Sequence, residues 1–127
     1  MLISMYKSIY REIILDNYKH PQNFGRLKKP TVSYGHDNPL CGDEIGMDVV
    51  VKENKIKDIA FYGQGCAISI ASSSLLTDFV KGRTIGEVQK INKDDMLEFL
   101  GTSLTPTRLT CALLPLEVLH KALSLLQ

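Results

Sequence analysis

The sequence predicts an α+β domain in which a small antiparallel sheet of about three strands is packed by helices. Three observations carry that expectation. Apolar residues recur at helical spacing near both ends of the chain, apolar side chains alternate through residues 45–61, and Gly and Pro punctuate the segments between them. At 127 residues the chain suits one domain spanning 1–127, large enough to bury a core without requiring disulfides or a structural metal.

Residues 4–18 set Met5, Ile9, Ile13 and Ile14 beside Tyr6, Tyr10 and Tyr18, which reads as an amphipathic helix behind a Ser4 cap. "KHPQNFGRLKKP" then stops any helix with Pro21, Gly25 and Pro30 and reads as an ordered loop. "TVSYGHD" is a first strand. "EIGMDVVVKENKIKDIAFYG" contributes two more, with Ile45, Met47, Val49 and Val51 on one face, a turn near Glu53–Asn54, and Ile59 and Phe61 on the return. "CAISIASSSLLTDFVKG" is a helix whose Ala and Ser side chains permit close packing and whose stop signal is Gly82. After a short segment around "TIGEVQKI", "NKDDMLEFL" is a further helix with Asn92 as cap and an acidic first turn, and "GTSLTPTRLT" is a loop. Ala112, Leu116, Leu119, Leu123 and Leu126 form the buried stripe of a closing helix. Pro115 is best tolerated in a first turn, so that helix is expected to start close behind Cys111.

Fifteen basic against fourteen acidic side chains leave a formal charge of +1. No strong field recommends nucleic acid or an anionic membrane, and the expected partners are proteins or small ions. No run approaches the roughly 20 apolar residues of a membrane span, and the opening segment carries Lys7, Arg11, Glu12 and Asp16 where a signal peptide would be apolar. These features predict a cytoplasmic protein. In that reducing setting, an odd set of three cysteines speaks for metal binding or thiol chemistry rather than a disulfide framework.

All three cysteines fall at the ends of expected elements. Cys41 sits in the turn-type stretch "NPLCGDEIG", Cys66 lies between "GQG" and a helix start, and Cys111 is read at the head of the last helix. Helix N-termini present unpaired N–H groups and a positive dipole end that favour the thiolate, the form that binds metal or attacks sulfur. Gly63 and Gly65 clear space for a sharp turn or a close approach beside Cys66. Asp43, two residues after Cys41, can bring a carboxylate to the same ion, with Gly42 as spacer. Three sulfurs and one oxygen make the four donors of a tetrahedral zinc or iron site. The cysteines are too dispersed to match a local zinc-finger pattern, so the flanking residues carry the case.

"NPLCGDE", "GQGCAISIASSS" and "RLTCALL" resemble the three cysteine motifs of the NifU/IscU/SufU family of iron-sulfur cluster assembly proteins, and "YREIILDNYKHPQNFGRL" is similar to that family's N-terminal segment. The resemblance implies a compact α+β domain like the NifU and IscU N-terminal fold. It also implies a site of Cys41, Asp43, Cys66 and Cys111 holding zinc or iron and a transient iron-sulfur cluster, with a cysteine desulfurase and acceptor apoproteins as partners. Scaffold-type members carry a histidine just before the third cysteine, where this chain has Thr110; of their Leu-Pro-Pro-Val-Lys chaperone motif only Leu104 and Pro106 remain, so a chaperone partner does not carry over. Arg108 is instead similar to the SufU branch, whose members act as zinc-dependent sulfur acceptors, although that branch's insertion between the second and third cysteines is absent. The chain is thus a hybrid of the scaffold and SufU types, a scaffold or a zinc-dependent sulfurtransferase.

Among the histidines, His120 stands roughly 13 Å beyond Cys111 at 1.5 Å per helical residue, too far to share an ion, and reads as a surface residue. His20 reads as structural, and His36 stays open as a ligand. Arg108 has two readings, a charge offset for an anionic site and a solvated loop arginine. Cys41 is the expected persulfide acceptor, with Asp43 as the weaker, exchangeable donor. Two rival readings stand beside this one: a zinc-stabilised interaction module without sulfur transfer, and a cysteine hydrolase, for which no histidine is placed by motif as a base.

Overall fold

The computed structural model describes residues 2–38 and 42–126, with side chains from residue 9 onward. The element order is α1 (Leu2–Lys19), β1 (Val32–Asn38), β2 (Asp43–Lys52), β3 (Lys55–Gln64), α2 (Ala67–Val80), α3 (Ile85–Gln89), α4 (Lys93–Leu100) and α5 (Pro106–Ser124). The strands form an antiparallel sheet in the order β1-β2-β3, so the α+β architecture read from the sequence is the one observed.

The hairpin between β2 and β3 turns through Glu53 and Asn54, both at positive φ (54° and 64°), the backbone that a two-residue connection between right-twisted strands demands. Ile45, Met47 and Val49 on β2 and Ile59 and Phe61 on β3 share one face and are buried against α2 and α5. A register shift between Val50 and Val51 interrupts the alternation, and Val51 is only half-buried in consequence. Capping boxes open α3 at Thr84 and α4 at Asn92, and Gly101 closes α4 in the left-handed conformation.

Three boundaries differ from expectation. Helix α1 begins ahead of Ser4, which therefore lies inside the helix rather than at its cap. Ile9 and Tyr18 are largely exposed, and the inward face is instead Tyr10, Ile13, Ile14 and Asn17. Helix α5 starts at Pro106 behind the N-cap Thr105, with Pro115 in its interior and Cys111 in its second turn. Thr-Pro is a helix-start signal in its own right, a small polar cap followed by a residue whose missing N–H is no loss at that place. Pro115 has no N–H to offer the carbonyl of Cys111 four residues back, and the helix carries that gap in its buried interior instead of starting after it.

The segment 20–31 is an ordered strap across the sheet. Gly25 N–H donates to the Phe61 carbonyl at 2.8 Å, Phe61 N–H donates back to Asn23 at 2.9 Å, and Thr31 N–H donates to Val49 at 2.8 Å. The strap is pinned by Asp48, whose carboxylate is fully buried and accepts Arg26 Nε at 2.8 Å, Leu27 N–H at 3.0 Å and Ser33 Oγ at 2.7 Å. The Arg26 guanidinium also lies 3.8 Å from the centre of the Tyr62 ring. Burial pushes the Asp48 carboxyl up, but the bonds from Arg26, Ser33 and Leu27 outweigh it and hold it below its ordinary value of 3.8.

A carboxyl depressed on folding contributes its full stability above its unfolded pKa and loses it as pH falls through the folded value. Asp48→Asn is therefore expected to lower stability at pH 7 by about 2 kcal/mol, the scale of lost charged hydrogen bonds. It should also flatten the acid decline below about pH 4 relative to the parent. Urea unfolding across that range checks both, and parallel acid limbs in parent and variant would refute the assignment.

Candidate metal centre

Asp43 is the first residue of β2 and shares its inward face with Ile45 and Met47. Only 2% of Asp43 is exposed. Its Oδ1 accepts the backbone N–H of Cys66 at 2.9 Å, and its Oδ2 lies 3.7 Å from Cys66 Sγ. Cys66 is the N-cap of α2, extended at φ −72° and ψ 170°, and its side chain makes no capping bond. The strand's carboxylate thus meets one of the N–H groups that every helix start leaves unpaired within the helix. The sulfur of Cys66 stays exposed.

Cys111 reaches the same point from the side of α5 and is buried. The carboxylate oxygen of Asp43 and the sulfurs of Cys66 and Cys111 all lie within 4.8 Å of one another. Around a tetrahedral ion with metal–sulfur bonds of about 2.3 Å, donors stand roughly 3.8 Å apart, so the cluster needs only a small inward shift to close. Two sulfurs with one carboxylate oxygen suit zinc or iron rather than the all-oxygen preference of magnesium or calcium. Cys41 and its neighbours Pro39 and Leu40 lie outside the described residues.

The glycines beside Cys66 are sterically required. Gly63 sits at φ 122°, and a Cβ there would overlap the carbonyl of Glu44 on the paired strand. At Gly65 a Cβ would overlap Ser69 Oγ and stand 3.0 Å from Asp43 Oδ1. The chain can deliver Cys66 to Asp43 only because both positions lack side chains.

The cluster opens onto a groove of about 1020 Å³ between α1, the α4–α5 connection and the start of α5. Ile14, Leu15 and Leu104 supply apolar wall, Arg11 and Arg108 supply positive charge, and both cysteines line its base. Arg108 is exposed and borders the site, and it joins no salt bridge among the described residues.

The histidines stand elsewhere. His36 is exposed on β1, paired with Ile45, and is not among the three grouped donors. His20 is exposed and ends α1, its N–H donating to Asp16. His120, expected at the surface, is half-buried with Nε2 3.0 Å from the Val88 carbonyl, because α3 packs over that turn of α5. Thr110 is exposed and returns its hydroxyl to the Pro106 carbonyl at 3.0 Å. The sequence reading missed Ser69, whose buried Oγ lies 3.9 Å from Cys66 Sγ; its place three residues after a helix cap was the available signal.

A small α+β domain that gathers thiols and a carboxylate from a strand start, a helix cap and a helix flank has a donor set able to hold a metal ion. Residues 9–127 match the NifU-like N terminal domain, and the chain belongs to that family. It is 36% identical over 115 residues to the iron-sulfur cluster assembly scaffold protein IscU 1 of Archaeoglobus fulgidus, covering 91% of this chain and 74% of that protein. It is 32% identical over 134 residues to the zinc-dependent sulfurtransferase SufU of Bacillus subtilis, covering 92% and 90%. A solved structure from Fervidobacterium islandicum AW-1, assigned as a scaffold protein for the SUF system, matches with a TM-score of 0.79 at 29% identity, over 88% of this chain and 94% of that one.

Gly63→Ala is expected to destabilise the fold by about 1–3 kcal/mol, the cost of holding a side chain in a disfavoured backbone region. The Cβ meets backbone rather than a movable side chain. A lowered urea midpoint with unchanged slope is the expected readout, and an unchanged midpoint would contradict it.

Proposed function

We propose that this chain is an iron-sulfur cluster assembly protein that accepts sulfur from a cysteine desulfurase. Cys41, Asp43, Cys66 and Cys111 hold zinc or a nascent cluster before it passes to acceptor apoproteins. The observation that carries the reading is the convergence of Asp43, Cys66 and Cys111 donor atoms within 4.8 Å, two of them on rigid helices and one on a strand. Relatives named as scaffold and as zinc-dependent sulfurtransferase support both halves of it. No helix among the described residues is long and apolar enough to cross a membrane, which agrees with the cytoplasmic setting proposed for this work.

In the transfer step the Cys41 thiolate attacks the outer sulfur of the desulfurase persulfide. One S–S bond forms as another breaks, the donor cysteine leaves as thiolate, and no net oxidant is needed. Bound metal keeps the site thiols deprotonated until sulfur arrives. Asp43 is the harder donor among soft sulfurs and therefore the more exchangeable one. Its bond to the Cys66 N–H would hold the carboxylate in place whether or not it ligated a metal.

Anaerobic reconstitution with iron, cysteine and a desulfurase tests this directly. A visible cluster spectrum with transfer to an apoprotein is expected for a scaffold, and tight zinc with stimulated desulfurase turnover for a relay; a protein that forms no cluster and leaves desulfurase turnover unchanged would overturn the reading. Asp43→Ala should slow cluster or sulfur transfer, because the exchangeable donor is lost, and transfer as fast as the parent's would refute the exchangeable-ligand role.

A zinc-stabilised module without sulfur transfer predicts unfolding on metal removal. The main core of Met47, Phe61, Leu76 and Leu119 is fully buried and built apart from the donors. Chelator-treated protein is accordingly expected to keep its far-UV circular dichroism and a cooperative melt, and a random-coil spectrum would favour the module instead.

A further inference from the structure

Helix α2 carries a row of buried hydroxyls, and their bonds set Ser69 apart. Ser72, Ser73 and Thr77 each donate to the carbonyl four residues back, at 2.8, 2.7 and 2.7 Å, the usual resting place for a hydroxyl inside a helix. Ser69 does not. Its Oγ lies 3.2 Å from the carbonyl of Cys66, three residues back, and 3.9 Å from Cys66 Sγ, with no exposed surface.

The cap geometry explains the difference. Ser69 is the third helical residue after the N-cap Cys66, the position whose side chain in a capping box reaches back to bond the N-cap N–H. Here Asp43 Oδ1 already takes that N–H at 2.9 Å. The Ser69 hydroxyl is left facing the other two groups of Cys66, its carbonyl and its sulfur. Gly65 keeps the space open, since a Cβ there would overlap Ser69 Oγ.

A hydroxyl has one proton to donate and rotates to the better acceptor, and an ionised acceptor outcompetes a neutral one. We propose that Ser69 is a positioning residue for this site: its buried hydroxyl turns from the Cys66 carbonyl to the Cys66 sulfur when that sulfur binds metal as thiolate. It thereby holds the sulfur toward Asp43 and Cys111. The proposal rests on the metal-holding reading of the site. Hydrogen bonds to ligating groups orient them and typically tune metal affinity 10- to 100-fold.

The test compares Ser69→Ala with Ser73→Ala in the full chain, using zinc competition against a chromophoric chelator, the visible spectrum of the cobalt(II)-loaded protein, and urea unfolding. Ser73→Ala strips the same kind of bond from the same buried helix, on the carbonyl of Ser69 rather than on Cys66. Ser69→Ala is expected to weaken zinc binding about 10-fold and to shift the thiolate-to-cobalt absorption, while Ser73→Ala keeps the parent's affinity and spectrum. If Ser69→Ala matches the parent in both, the proposal is overturned and the metal-holding reading stands. Equal losses in the two variants would make the hydroxyl merely structural and also overturn it. A parent that binds neither metal would remove the metal-holding reading and the proposal with it.

Discussion

A helix packed over most of its surface buries small and apolar side chains there, and every hydroxyl it buries must find a partner inside the protein. Helix α2 meets that constraint. It packs against α1, α4, α5 and β3, and Ser72, Ser73 and Thr77 satisfy themselves on its own carbonyls. Two hydroxyls also link outward: Ser74 donates to Asn17 on α1 at 2.6 Å and accepts the Gln22 N–H at 2.8 Å, and Thr77 accepts from Asn23 Nδ2 at 3.1 Å. With α2 fixed in the middle of the molecule, its N-terminus has one place to be, beside the first residue of β2 and the flank of α5. The donor cluster is the consequence of that packing.

Three rigid elements therefore supply three donors, and each is held differently. Cys111 is buried in α5 and Asp43 is buried at the start of β2, whereas Cys66 faces solvent. Among the described residues, both cysteines line the groove, so the site opens toward it. Preorganised donors on helices and strands hold geometry better than donors on loops. Asp43 joins the two levels, because the carboxylate offered to the cluster is also the one that accepts the Cys66 N–H.

Much of this was legible from the residues themselves. Alternation through Ile45, Met47, Val49, Ile59 and Phe61 marked the inner sheet face, Glu53–Asn54 marked the hairpin, and glycines ahead of Cys66 marked a helix entrance. Those signals are local, which is why they survive without a structure. The start of α5 is hidden because Pro115 marks a first turn that the helix does not begin at, while the true start signal, Thr105-Pro106, sits in a loop-like stretch. The Asp48 anchor and the half-buried His120 were not visible at all. Each depends on a partner far away along the chain, Arg26 in the strap and Val88 in α3, and no period or spacing in the sequence records such pairs.

Thr110 stands directly before Cys111, and its hydroxyl is committed to the Pro106 carbonyl. A donor set without a neutral imidazole is more negative than one with it, since thiolates and a carboxylate all bring charge. Arg11 and Arg108 flank the groove that leads to it. Both are exposed, so solvent and salt screen what they contribute to stability. Their field acts instead on what approaches, raising the local concentration of anionic partners at the groove mouth.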